Sequence, residues 1–294
     1  MAQSLAKANL VHNAPLLVIG LLMIDSLHFV FARMLLPHLP PVTSAMFVLL
    51  VAAGEMAVFA AITGRLDLSL RPLRQHLWFF LGVGFLVAAS TALNYGAVAF
   101  IDPGTAALLA KASVLFGLAF GIFWLGDRLT RRQLVGAGLA IAGVVVITFQ
   151  PGDYLRAGAL MVLASTVMYA LHAALVKRYG GGLKFIDFFL FRLLCTATFL
   201  FLFTAASGHL VWPSGQAWLL LLLVGTVDVV ISRALYYLAL RELTMSMHTL
   251  VLTLSPVAAI VWSFFLFDAL PSPQQLAGGA AVLLGVLLVT WRRR

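Results

Sequence analysis

Six ionisable residues lie inside long runs of apolar residues: the carboxylates Asp25, Glu55 and Asp228, and the cations Lys111, Arg192 and Arg233. A charge placed in such a run costs from about 2.5 kcal/mol upward if the run crosses a bilayer, so it is kept where it faces a polar cavity or an opposite charge. The formal charges of the six cancel. Asp25 and His28 are three residues apart and share a helix face, a spacing suited to binding an amine or relaying a proton. Glu55 has no opposite charge within one helical turn and is a candidate proton-coupling carboxylate. Lys111 offers a cation to a substrate carboxylate, or a strut to Glu55 or Asp228. Asn94 and Tyr95 near the end of one run, and Tyr236 and Tyr237 near the end of another, add hydrogen-bonding groups. The candidate substrate-binding set is therefore Asp25, His28, Glu55, Asn94, Tyr95, Lys111, Asp228 and Tyr237. Arg192 reads as structural, because its long side chain reaches the membrane boundary, and His172 reads as an interface histidine.

The elements that hold these residues follow from composition. Of 294 residues 63% are hydrophobic and 10% charged, whereas a water-soluble domain carries about 25% charged residues. Too little polar surface remains to coat a soluble globule, but runs of about 20 apolar residues suit a bilayer. Ten such runs are present, at roughly 14–36, 41–63, 76–98, 104–125, 132–150, 157–177, 185–206, 216–238, 245–267 and 274–291. The first is too long for a signal-peptide core and reads as a retained span. The net charge of +9 does not indicate nucleic acid, because the charges cluster in short loops between apolar runs. No GxxxxGK loop, HExxH pair or GxSxG elbow is present, and Cys195 is the only cysteine. ATP binding, metal binding and serine hydrolysis are therefore not expected, and neither is a cofactor or a catalytic residue.

Charge placement tests the span count. With both termini in the cytoplasm, only Arg33 and Arg156 of the 19 Lys and Arg fall outside. Lys111, Arg192 and Arg233 fall within spans, and the remaining 14 lie on the cytoplasmic side. Such asymmetry is the positive-inside pattern. The chain also repeats itself at an offset of 142 residues: Tyr95 meets Tyr237, Ser113 meets Ser255, Gln133 meets Gln275, Gly136 and Gly143 meet Gly278 and Gly285, and Thr148 meets Thr290. His28 and His172 correspond at 144. The expected organisation is an all-α membrane protein of ten transmembrane helices, with residues 1–150 and 151–294 as two five-helix units. Five is odd, so the second unit enters the membrane from the opposite side. Inverted repeats of this kind build secondary transporters with a midplane site.

The run Phe123-Trp124-Leu125-Gly126-Asp127-Arg128-Leu129-Thr130, followed by Gln133 and Gly136, resembles the LGE-x-L-T-x-x-Q-x-x-G junction of the EamA family of the drug/metabolite transporter superfamily. Phe267-Asp268-Ala269-Leu270 with Gln275 and Gly278 is a degraded second copy, and Leu254-Ser255-Pro256-Val257 resembles that family's SPV signature. Both junctions carry Asp where Glu is usual, and Val114 stands where a first-half proline is expected. The resemblance covers nearly the whole chain. It implies alternating-access export of an amino acid, related metabolite or drug-like solute across a bacterial inner membrane, with protons as the candidate coupling ion and the chain acting as monomer or homodimer. A flippase of a lipid-linked headgroup and an intramembrane acid/base enzyme using His28, Glu55 and Lys111 are the alternatives.

Overall fold

The computed structural model describes residues 17–63, 71–125, 130–150, 154–155, 157–180, 183, 185–233, 235–236 and 245–290. Of the sequence expectations, Tyr237 and the 126–129 part of the junction motif lie outside these residues. The described chain is helical apart from a two-residue antiparallel ladder, Phe149 opposite Leu155 and Gln150 opposite Tyr154, between the two halves.

The first span is α1 (residues 17–25) and α2 (His28–Leu35), followed by α3 (Pro41–Ile62), the short α4 (Arg71–Gln75) and α5 (Leu77–Ala97). The fourth span is α6 (Pro103–Ala110) and α7 (Ser113–Leu125), and α8 (Arg131–Thr148) closes the first half. The second half holds α9 (Ala157–Tyr179), α10 (Phe185–Ala206) and α11 (Gly215–Val224). It continues as the π-wound α12 (Gly225–Ile231), then α13 (Met245–Phe267) and α14 (Pro273–Thr290). Among the described residues, eight helical stretches are long and apolar enough to cross a membrane, and Gly215–Ile231 and Leu252–Phe267 are shorter apolar helices. The chain is a multi-pass membrane protein whose outer faces are apolar: Phe123 is 88% and Trp78 86% exposed, as lipid-facing side chains must be.

Local chemistry sets the helix ends, and the two halves use the same devices. The Thr130 hydroxyl accepts from the Gln133 amide at 3.3 Å while Gln133 Oε1 accepts from the Thr130 amide at 2.9 Å. Ser272 and Gln275 repeat this reciprocal cap at 3.3 and 2.6 Å, starting α14 as the first pair starts α8. Each such cap satisfies two amides that the helix leaves open. α8 and α14 then cross antiparallel through glycine. A β-carbon on Gly136 would meet the Gly285 carbonyl oxygen at 2.7 Å, and one on Gly143 the Gly278 oxygen at 2.5 Å. Only hydrogen on those α-carbons lets the backbones approach this closely.

Three spans depart from regular α-helix. The first is interrupted at Ser26–Leu27, where the Ser26 hydroxyl donates to the Met23 carbonyl at 2.7 Å and the Trp262 indole N–H donates to the same oxygen at 3.3 Å. The fourth is interrupted at Lys111–Ala112, where amides bond three residues back instead of four, as in Val114 to Lys111 at 3.2 Å. The third departure is in α11, which widens into α12. The helix that contains Pro256 runs unbroken as α13. Proline removes one amide from the ladder, and the Ser255 hydroxyl donates to the orphaned Leu252 carbonyl at 3.1 Å.

Candidate functional site

The helix irregularities converge on one cavity of about 320 Å³ between the two halves. Asp25 and Ser26 come from the first break, Lys111 from the second and Asp228 from the π-wound turn; α2, α3, α5, α6, α7, α9, α10 and α13 complete the wall. Neither α8 nor α14 contributes to it. Six pairs of wall positions lie one repeat apart, at 142 residues: Val87 and Val229, Ser90 and Ser232, Thr91 and Arg233, Asn94 and Tyr236, Ala110 and Leu252, Ser113 and Ser255. The cavity is thus built from equivalent helices of both copies.

His28 Nδ1 donates to Asp228 Oδ2 at 2.8 Å, joining α2 to α12 across the cavity wall. Asp228 is 8% exposed, and the imidazole supplies the partner that a buried carboxylate requires. The His28 and Tyr95 rings meet in a T-shaped contact, with centroids 5.9 Å apart. Asn94 also lines the cavity, and its Oδ1 is buried without a hydrogen-bond partner among the described residues, an acceptor available to a solute donor. The Ser90 and Ser165 hydroxyls lie 2.9 Å apart and tie α5 to α9. Tyr169 faces Arg233 and Arg192, and the Arg192 guanidinium lies 5.1 Å from the centre of the Phe189 ring.

Six of the eight residues singled out by sequence meet here: Asp25, His28, Asn94, Tyr95, Lys111 and Asp228. Glu55 does not line the cavity. Its Oε1 lies 2.6 Å from the Thr226 hydroxyl, which is also 2.7 Å from the Leu222 carbonyl, so this carboxylate links α3 to α12 on another face. Tyr237 lies outside the described residues. Arg192, read from sequence as structural, is part of the wall, as are Arg233, Tyr169 and the serines. The repeat offset was the available signal for Ser90 and Ser232, which match at 142 as Ser113 and Ser255 do. His172 is buried beside Tyr169, with ring centroids 5.3 Å apart, and does not line the cavity. The arrangement can hold a small polar solute between groups of both signs. Among the described residues no cluster of His, Cys, Asp and Glu is disposed to hold a metal ion.

Comparison with known proteins agrees with this architecture. The model of the EamA-like transporter family matches residues 13–149 and again 156–291. A protein of Streptantibioticus cattleyicolor named a probable terminal-alkyne amino-acid exporter is 27% identical over 72% of this chain and 71% of its own length. One of Salmonella typhimurium, named a probable amino-acid metabolite efflux pump, is 34% identical over 41% of this chain and 38% of its own. A crystal structure superposes with a TM-score of 0.65 at 21% identity, covering 95% of this chain and 97% of that one, a likeness of fold. Two helical copies enclosing a polar cavity, each matched in turn by the same family model, identify this chain as a member of the EamA-like transporter family.

Proposed function

We propose that the protein is a secondary transporter that exports a small polar organic solute, an amino acid or close relative, from the cytoplasm of a bacterium across its inner membrane. The observation that carries this reading is the cavity between the copies, which holds Asp25 and Asp228 together with Lys111, Arg192 and Arg233. Groups of both signs suit a solute that itself carries both, and the apolar Phe29, Leu49 and Val229 on the same wall suit its side chain. The relatives named as exporters support the direction.

Ten spans arranged as inverted five-helix repeats, with both termini in the cytoplasm, fit this role. The antiparallel crossing of α8 with its counterpart α14 supports the inversion, and the cytoplasmic surplus of Lys and Arg supports the orientation. Alternating access then follows from rocking one repeat against the other around the cavity. Asp25, His28, Asn94, Tyr95, Lys111 and Asp228 form the substrate site. The His28–Asp228 pair is the group best placed to exchange a proton during the cycle, since it joins the two repeats.

The test is counterflow in liposomes holding the purified chain, with the twenty L-amino acids as solutes. Saturable exchange of at least one, reduced by Asp228→Asn, is the expected result. Absence of exchange for all twenty, with protein that still melts cooperatively, refutes the reading.

A further inference from the structure

The charges on the cavity wall are not equivalent. Asp228 is already engaged by His28 at 2.8 Å. Arg192 lies over the Phe189 ring, and Arg233 faces Tyr169. Asp25 and Lys111 differ from these: among the described residues neither has an ion-pair partner within 4.0 Å, although each lies within electrostatic range of the other. Both stand at helix breaks that open onto the cavity, Asp25 at the end of α1 and Lys111 between α6 and α7. In formal charges the described wall sets three basic side chains, Lys111, Arg192 and Arg233, against two carboxylates. Its balance is positive whether or not His28 carries a proton. A lone cation in this setting is costly, and with His28 neutral a single solute carboxylate would neutralise the surplus.

We propose that Lys111 binds a carboxylate of the transported solute, which makes the carboxylate the obligatory recognition element, while Asp25 across the gap accepts an ammonium group where one is present. This rests on the transport reading above and narrows it to carboxylate-bearing solutes. The geometry supports the assignment further. The break lets Lys111 and Ser113 both line the cavity although they are two residues apart, a spacing that in an unbroken helix sends side chains to different faces. The competing structural role is that Lys111 only offsets the negative carbonyl end of α6. That role predicts a loss of stability with no preference among solutes.

The experiment compares the twenty L-amino acids, their α-amides and the corresponding acids that lack the amino group, each as a solute for the purified full chain in liposomes. The expected result is that acids with and without the amino group exchange, while the amides exchange at least about tenfold more slowly, the loss that follows from removing one charge-assisted hydrogen bond. Lys111→Met should raise the KM of the best acid at least about tenfold, and Lys111→Arg should restore most of it. Amides exchanging as fast as acids overturn the proposal on the wild-type protein alone, so the outcome does not depend on the variant folding. So does a Lys111→Met protein that slows acids and amides equally. If nothing in the panel exchanges, the transport reading fails, and the subsite is judged separately by melting temperature. Acids that stabilise the wild type but not Lys111→Met uphold it, and equal shifts or none in both overturn it.

Discussion

Replacing Gly143 by alanine places a β-carbon 2.5 Å from the Gly278 carbonyl oxygen, 2.7 Å from the Val282 nitrogen and 2.9 Å from a Val282 methyl. Ordinary contact begins near 3.4 Å, so α8 and α14 must separate by about 0.9 Å at this point. Two of the three opposing atoms are backbone, which cannot rotate away. Overpacking of this kind costs about 1–3 kcal/mol, and the rigid partners put this site at the upper end. Alanine returns about 1 kcal/mol of helix propensity, leaving a net loss of about 2 kcal/mol. Gly138 lies five residues earlier on the same helix, and a β-carbon there meets nothing within 4 Å. Gly138→Ala therefore keeps the propensity gain without the clash. The two variants should move in opposite directions, with a difference of about 3 kcal/mol. The six tryptophans provide an intrinsic fluorescence signal for melting in detergent micelles. Gly143→Ala melting at or above Gly138→Ala would show that the two helices are not packed through their glycines, and the repeat contact would have to be rebuilt.

Four further outcomes are expected. His28→Ala and Asp228→Asn should each depress exchange in liposomes, and the double substitution should cost clearly less than the two effects combined, because each single change strands the other partner; strict additivity removes the pair from the mechanism. Glu55→Gln should lower the melting temperature while leaving the ranking of exchanged solutes intact, since the carboxylate reaches Thr226 and not the cavity; an altered ranking contradicts this. Thr130→Ala should cost about 1 kcal/mol of stability through loss of the α8 cap, read as a fall in melting temperature, and an unchanged value refutes the role of the reciprocal bonds. Finally, with Cys195→Ala as background, Ser207→Cys should react with an impermeant maleimide from outside intact cells and Thr63→Cys only after the membrane is opened; the reverse pattern inverts the assigned orientation.

The position of most spans was legible because length and hydropathy carry it. The recurrence of Gln133 as Gln275 was legible at the repeat offset, and the structure adds its part in the reciprocal caps. The interruptions were not. Ala110-Lys111-Ala112 consists of good helix formers, and no proline or glycine marks Ser26–Leu27. Local propensity therefore argues for continuous helices at both places, and long-range contacts such as that of Trp262 with the Met23 carbonyl accompany the departure. The one feature that does announce a break, Pro256, is absorbed by the Ser255 hydroxyl. Glu55 illustrates a second limit. Its place in the run gives its depth in the membrane, but α3 is apolar on all sides, so no polar stripe marks which face turns inward. Charges at helix irregularities could be recognised as unusual from sequence, but their convergence on one cavity could not, because that depends on how α2, α6 and α12 pack.

The glycine-to-glycine crossing of α8 and α14 also constrains how the molecule can move. Backbones in such close register cannot slide without collision, and neither helix contributes a side chain to the cavity wall. On the rocking proposed above, the pair would serve as the pivot about which the helices that carry Asp25, Lys111 and Asp228 swing. Substitutions that loosen the pivot should therefore change how fast the protein cycles, and leave untouched which solute it accepts.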